Sequence, residues 1–174
     1  MILRYFFLVL GLAAAGLPSA QAYEVCGSLE TVYGPFDYRT DKNRLGNVER
    51  AHFTATVETL MRGTQNALAG GDIDYTLRTF PNHHRALDAM VRYGEKMKSP
   101  HPPGADYTVE CYFNRATRFR PDDIIVRMMY AGFLSKQSRQ TEALAQLEVA
   151  NNLAKDDPLS HYNIGLVYFD LKEY

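Results

Sequence analysis

What most constrains this chain is a self-similarity: its C-terminal third matches itself when shifted by 34 residues. The shift pairs Val109 with Ala143, Phe113 with Leu147 and Ala116 with Ala150. It also lays Asp122-Asp123 on Asp156-Asp157, Tyr130 on Ile164, Ala131 on Gly165 and Leu134 on Tyr168. A fixed period of this length marks a stack of helix pairs, in which no pair buries its own apolar face and each neighbour covers the next. Small residues recur because two helix axes approach closely only where Ala or Gly stands at the crossing. Ala116, Ala131, Ala150 and Gly165 are therefore expected to face an adjoining helix.

Three half-motifs fall in this register: Ile164-Gly165-x2-Tyr168, Phe113-x2-Ala116-x4-Pro121 and Ala143-x3-Leu147-x2-Ala150. On these residues the chain resembles the tetratricopeptide repeat family. That resemblance implies an all-α fold, a short helical-hairpin solenoid of about two and a half repeats over residues 82–174, the last one incomplete. Ahead of it, residues 23–81 are expected to be an irregular segment with short helices packing on the repeats. The resemblance also implies a function, since in that family the concave face of the first helices takes an extended peptide or a partner helix. Carried over by register, that face comprises Ile125, Met128, Met129, Ser135 and Lys136 of one first helix, and Tyr162, Asn163, Leu166 and Phe169 of the last. Asn163 matches an asparagine that grips a peptide backbone in some members, a task suited to an amide with both donor and acceptor. Methionines adapt to irregular apolar partners. The basic residues that clamp a peptide carboxylate in other members are missing here apart from Lys136. The same Met and Tyr positions also suit a core.

Residues 1–22 read as a secretory signal peptide. Arg4 precedes an apolar run from Tyr5 to Leu17, and Ala20-Gln21-Ala22 has the small residues of a cleavage site. The run is short for a membrane span, an uncleaved anchor being the alternative. Tyr23-Glu24-Val25 does not fit a lipoprotein box, so Cys26 is not expected to carry lipid. Export to the periplasm or beyond follows, with no membrane contact after cleavage. In an oxidising compartment the two cysteines, Cys26 and Cys111, suggest one disulfide, against the alternative of a buried free Cys111. Nineteen basic and 20 acidic side chains give a formal net charge of −1, which favours no nucleic-acid partner. Arg115, Arg118, Arg120 and Arg127 cluster beside aspartates and are expected to form a solvated, ion-paired face.

Taken in order, the stretch from Tyr23 to about Gly46 reads as irregular, with Tyr33, Phe36 and Tyr38 capping the first helices. A helix over Ala55–Arg62 follows, with Thr54 as N-cap, Val57, Leu60 and Met61 on one face and Gly63 as its stop. Gly70-Gly71 is a break, after which Asp72 caps a helix through Phe80 that places Ile73, Leu77 and Phe80 on one side. Pro81 ends it and Asn82 caps the next helix, His83–Met97, whose stripe is Leu87, Met90, Val91 and Gly94. Its partner is Tyr107–Phe119, joined through an inserted loop, Ser99–Gly104. Asp122 or Asp123 starts a helix through Ser138, Thr141 caps its partner through Ala154, and Asp157-Pro158 opens the last helix. There Ile164, Val167, Tyr168 and Leu171 lack half their cover. The chain is thus expected to continue past Tyr174, or the final helix to serve as a bare cap or a self-association surface.

For chemistry, Asp72, Asp74, His83 and His84 form the one constellation that invites an enzymatic or metal-dependent alternative. Adjacent histidines on a helix point about 100° apart and cannot both grip one metal as an i, i+4 pair does. Asp72 and Asp74 fit helix-start chemistry. His52, His101 and His161 stand alone, and Cys111 falls on a packing face. The expectation is a non-catalytic module with a protein or peptide partner, no cofactor and no metal.

Overall fold

The computed structural model describes residues 26–171, so the segment 1–22 expected to be a signal peptide, and Tyr174, lie outside the described residues. Among the described residues the chain is all-α, with eight helices and no strand. They are α1 (Lys42–His52), α2 (Ala55–Glu58), α3 (Ala69–Thr79), α4 (His84–Met97), α5 (Val109–Phe119), α6 (Ile124–Lys136), α7 (Gln140–Ala154) and α8 (Pro158–Asp170). From α2 onward each helix packs on its neighbour in sequence, α1 packs on α3, and α6 packs on both α4 and α8, which lines the hairpins α4–α5 and α6–α7 side by side.

Local chemistry fixes the starts. The Asp123 carboxylate accepts from the Val126 N–H (3.2 Å) at the head of α6, and Thr108 accepts from Cys111 N–H (3.3 Å) at the head of α5. Asp157 accepts from Leu159 and Ser160, and Pro158 fills the first turn of α8 where no N–H is needed. Two expected caps are displaced. His83, not Asn82, caps α4, its Nδ1 accepting from Ala86 N–H (3.2 Å), because the Asn82 side chain is taken by two carboxylates. Arg139, not Thr141, stands at the start of α7 and offers no side-chain cap.

The N-terminal segment is more ordered than its sequence suggests. Helix α1 went unread because only Leu45 and Val48 of its residues are buried. Helix α2 is a single turn, and Leu60 beyond it has a left-handed φ of 59°, which buries Leu60 while leaving Met61 exposed. Helix α3 runs straight through Gly70-Gly71 from Ala69. Its Ile73 and Leu77, and Phe80 just after it, are buried as expected. One core cluster extends from Phe53, Val57 and Ile73 through Leu87 and Met90 to Phe113, Ala116 and Val126. This cluster continues across residues 81 and 82, where α3 stands to α4 as α5 stands to α6, with Pro81 and Pro121 in the same turn position. Smaller clusters continue outward, built on Ala131, Leu134, Ala143 and Leu147, then on Ala150, Ala154 and Ile164.

The small-residue expectation holds at Ala116, Ala131 and Ala150, which have no exposed surface. It fails at Gly165, which is exposed and where an added Cβ would meet nothing within 4 Å, since no described helix covers that side of α8.

Cys26 and Cys111 are disulfide-bonded, with Cα atoms 5.1 Å apart. The bond holds residues 26–28 against α5, and two arginines complete the attachment. Arg115 donates to the carbonyls of Cys26 (3.0 Å) and Ser28 (2.6 Å), and Arg118 to that of Gly27 (2.8 Å). Arg115 is 1% exposed and lies over the Tyr107 ring, so burial pushes its pKa down. Arg115 and Arg118 are thus an internal clamp rather than part of a solvated face, while Arg120 forms the expected ion pair, with Asp37 at 2.7 Å. Further along, Tyr33 and Phe36 pack with Phe80 in the capping role expected of them.

Candidate partner-binding surface

The sequence-derived surface splits in two. On α8, Tyr162 (65% exposed), Leu166 (47%) and Phe169 (65%) lie outward, and Leu159 (67%), absent from the expected set, extends the row. These four stand at i, i+3, i+7 and i+10, one helical stripe, opposite the face that buries Ile164. Ile125 on α6 is also exposed (46%). Met128 and Met129 are instead half-buried, packed against the core clusters. Asn163 is half-buried and borders the stripe. Ser135 is 3.5 Å from Gln140 Oε1, and the Lys136 ammonium is paired with Glu95 at 2.7 Å. The stripe itself was legible as Leu-x2-Tyr-x3-Leu-x2-Phe. The same shift lays Ile125 on Leu159, so the register reaches this residue too, although the face carried over to the last helix starts at Tyr162.

Between α4 and α6 lies a cleft of about 570 Å³, lined on its apolar side by Val91, Val109 and Phe133. No sequence motif pointed to it, although the inserted loop that forms one wall was visible.

The four residues of the enzymatic alternative do not converge. Asp72 is fully buried and staples the loop before α3. Its Oδ2 accepts from the N–H groups of Thr64 (2.6 Å), Gln65 (3.1 Å) and Asn66 (3.1 Å), and its Oδ1 is 2.9 Å from His52 Nδ1. Burial alone raises this carboxyl's pKa, but the Thr64, His52 and Asn66 hydrogen bonds outweigh it and hold it below the usual range. Asp74 accepts from the Tyr112 hydroxyl (2.5 Å) and ion-pairs with Arg78 (2.7 Å). His83 is buried under Tyr38, ring centroids 4.2 Å apart, with Nε2 3.2 Å from Glu49. Burial pushes its pKa down to about 3, so the imidazole is neutral. His84 Nε2 lies 3.0 Å from both oxygens of Asp123. Asp72 and Asp74 thus serve separate structural networks, while His83 and His84 share the Tyr38 ring but turn to different carboxylates, Glu49 and Asp123. Among the described residues no group of three His, Cys, Asp or Glu is placed to hold a metal ion.

Comparison with known proteins adds no relative. No family model matches the chain, and neither does any curated protein or solved structure. No described helix is long and apolar enough to cross a membrane.

Proposed function

We propose that the chain is an exported, non-catalytic interaction module of the cell envelope that holds a protein or peptide partner along its row of first helices. The observation that carries this is the apolar stripe Leu159, Tyr162, Leu166 and Phe169, four large side chains exposed side by side on α8. Soluble monomers rarely leave such a contiguous patch open, and where they do it marks an interaction site. The tetratricopeptide-like register supports the same role, since it puts Tyr162, Leu166 and Phe169 on the helix face that family uses for partners. The disulfide is a bond that oxidising compartments sustain, which supports a periplasmic or secreted protein. A non-catalytic role is supported by the structural networks that occupy Asp72, Asp74, His83 and His84.

The experiment is a paired substitution, Tyr162→Ala with Phe169→Ala, tested by in-cell photo-crosslinking to envelope proteins. Loss of the crosslinked species with unchanged far-UV circular dichroism is expected. Undiminished crosslinking by the double variant would remove the proposal. The same stripe would serve a second copy of the chain, and sedimentation of the purified protein separates that case, because a self-associating stripe gives a dimer that the double variant abolishes.

A further inference from the structure

The helix caps show where the chain departs from its own period. Asp123 and Asp157 are 34 residues apart, whereas His83 and Asp123 are 40 apart. The surplus sits in the connection 98–108, against 137–139 in the next hairpin. That connection is tied down on both sides, Ser99 N–H donating to Gly94 O (3.0 Å) and Val109 N–H to Pro100 O (2.9 Å). Ser99 and Pro100 thereby become a wall of the cleft between α4 and α6.

The floor of the cleft is apolar: Val91, Val109 and Phe133. Its charged rim is balanced, three carboxylates against three cations. Glu95 is matched by Lys136 (2.7 Å), and Glu110 and Glu142 share Arg139 (2.7 and 2.6 Å). Of these six, Lys98 alone has no ion-pair partner among the described residues. It stands at the C-cap of α4 with a left-handed φ of 50° and lines the cleft. Beside it the exposed Gln137 amide also lines the cleft. A volume of about 570 Å³ lies in the range of pockets that bury a drug-sized ligand, room for a short stretch of extended chain.

We infer that this cleft binds an extended segment of a partner protein that presents an apolar side chain followed by Asp or Glu. The apolar side chain covers the floor, the carboxylate meets the Lys98 ammonium, and Gln137 supplies a donor and an acceptor for the segment's backbone. A lysine in place of the carboxylate brings two like charges together at the rim. The inference rests on the interaction role proposed above, yet it concerns a surface separate from the α8 stripe.

The test is an NMR titration of the ¹⁵N-labelled, disulfide-bonded chain with the blocked peptide Ala-Ala-Leu-Asp-Ala-Ala, and with its Leu-Lys and Ser-Asp counterparts. Saturable shifts at Val91, Val109 and Phe133 are expected, with a Kd on the order of 1 mM. The Leu-Lys peptide should bind about fivefold more weakly, as one partly exposed ion pair allows. Lys98→Glu, a change at an exposed position, should reverse the order of the Leu-Asp and Leu-Lys peptides. Equal shifts from those two peptides, or no saturable shift at the cleft, would overturn the assignment. Shifts confined to Leu159–Phe169 would also overturn it while leaving the interaction role standing.

Discussion

A single buried amide joins three parts of the chain. Asn82 donates to Asp37 Oδ1 (2.7 Å) and Asp123 Oδ2 (2.8 Å) and accepts from Tyr38 N–H (3.0 Å). Only a side chain with two donors and an acceptor can hold two carboxylates apart from each other and fix a backbone at once. Both carboxyls stay below the usual range despite burial, Asp37 through Arg39 and Asn82, Asp123 through His84 and Asn82. Asn82→Asp adds a third carboxylate to this knot and should cost about 3 kcal/mol in urea unfolding at pH 7. The deficit relative to wild type should shrink as the pH falls and the new group protonates. His83 next door gives a second prediction. It stays neutral in the native state down to about pH 3, while the unfolded chain binds the proton near 6.5. The native state's advantage is therefore complete above pH 6.5 and declines below it, by up to about 1.4 kcal/mol per pH unit. The lowered pKa values of Asp37 and Asp123 act in the same direction but only below about pH 4. His83→Asn keeps a capping acceptor and removes the titration. Unfolding free energies at pH 7, 6 and 5 should then be level in the variant and fall in the wild type. Parallel slopes would show that another group is responsible.

At the scale of helices, two glycines separate what the pattern reveals from what only packing decides. Gly94 and Gly165 each sit inside a helix that the sequence pattern foresaw, α4 from its apolar stripe and α8 from the repeat register. A Cβ at Gly94 would meet Val109 Cγ2 at 2.8 Å and Ser99 O at 3.2 Å, whereas one at Gly165 would meet nothing. Gly94→Ala should therefore destabilise, by about 1 to 3 kcal/mol through overpacking. Gly165→Ala should stabilise by up to about 1 kcal/mol through reduced backbone freedom. Melting temperatures moving in opposite directions would confirm the contrast. The same distinction explains what was legible in the sequence. Helices α5 to α8 and the Asp123 and Asp157 caps follow from the 34-residue period, while α4 follows from its own apolar stripe and the insertion after it from the Pro-rich loop 99–104. The Gly70-Gly71 pair reads locally as a break. Yet a Cβ at Gly70 would collide with the Pro103 carbonyl and the Tyr93 ring, contacts from distant chain that no local pattern contains. Helix α1 was equally hidden, since its sequence offers two buried side chains and a polar remainder. Of the candidate surface, the α8 stripe was legible from its spacing. The cleft depends on Val91, Val109 and Phe133 converging from three helices, which spacing cannot show.

Across the whole molecule, cohesion is unequal from one end to the other. The largest core cluster spans α2 to the start of α6, and the disulfide lies within that half. Helix α8 contributes one buried side chain, Ile164, to the smallest outer cluster. In an array where each hairpin leans mainly on its neighbours, stability is a sum of local contributions, and the end with least cover opens first. Amides of α8 should therefore exchange fastest among the helices α3 to α8, and those of α3 to α5 slowest. The disulfide sharpens this expectation because it closes a sequence separation of 85 residues. In the chain-entropy picture that loop stabilises by about 4 to 5 kcal/mol. Reduction should then speed the slowest amides of α3 to α5 by about three orders of magnitude. It should leave α8 unchanged, because opening α8 does not release the loop. Hydrogen-exchange mass spectrometry of oxidised and reduced protein reads both effects. Equal acceleration of α8 and α5 would mean that the eight helices open as one cooperative unit, and that the outer hairpin is held to the core more firmly than its buried contacts account for.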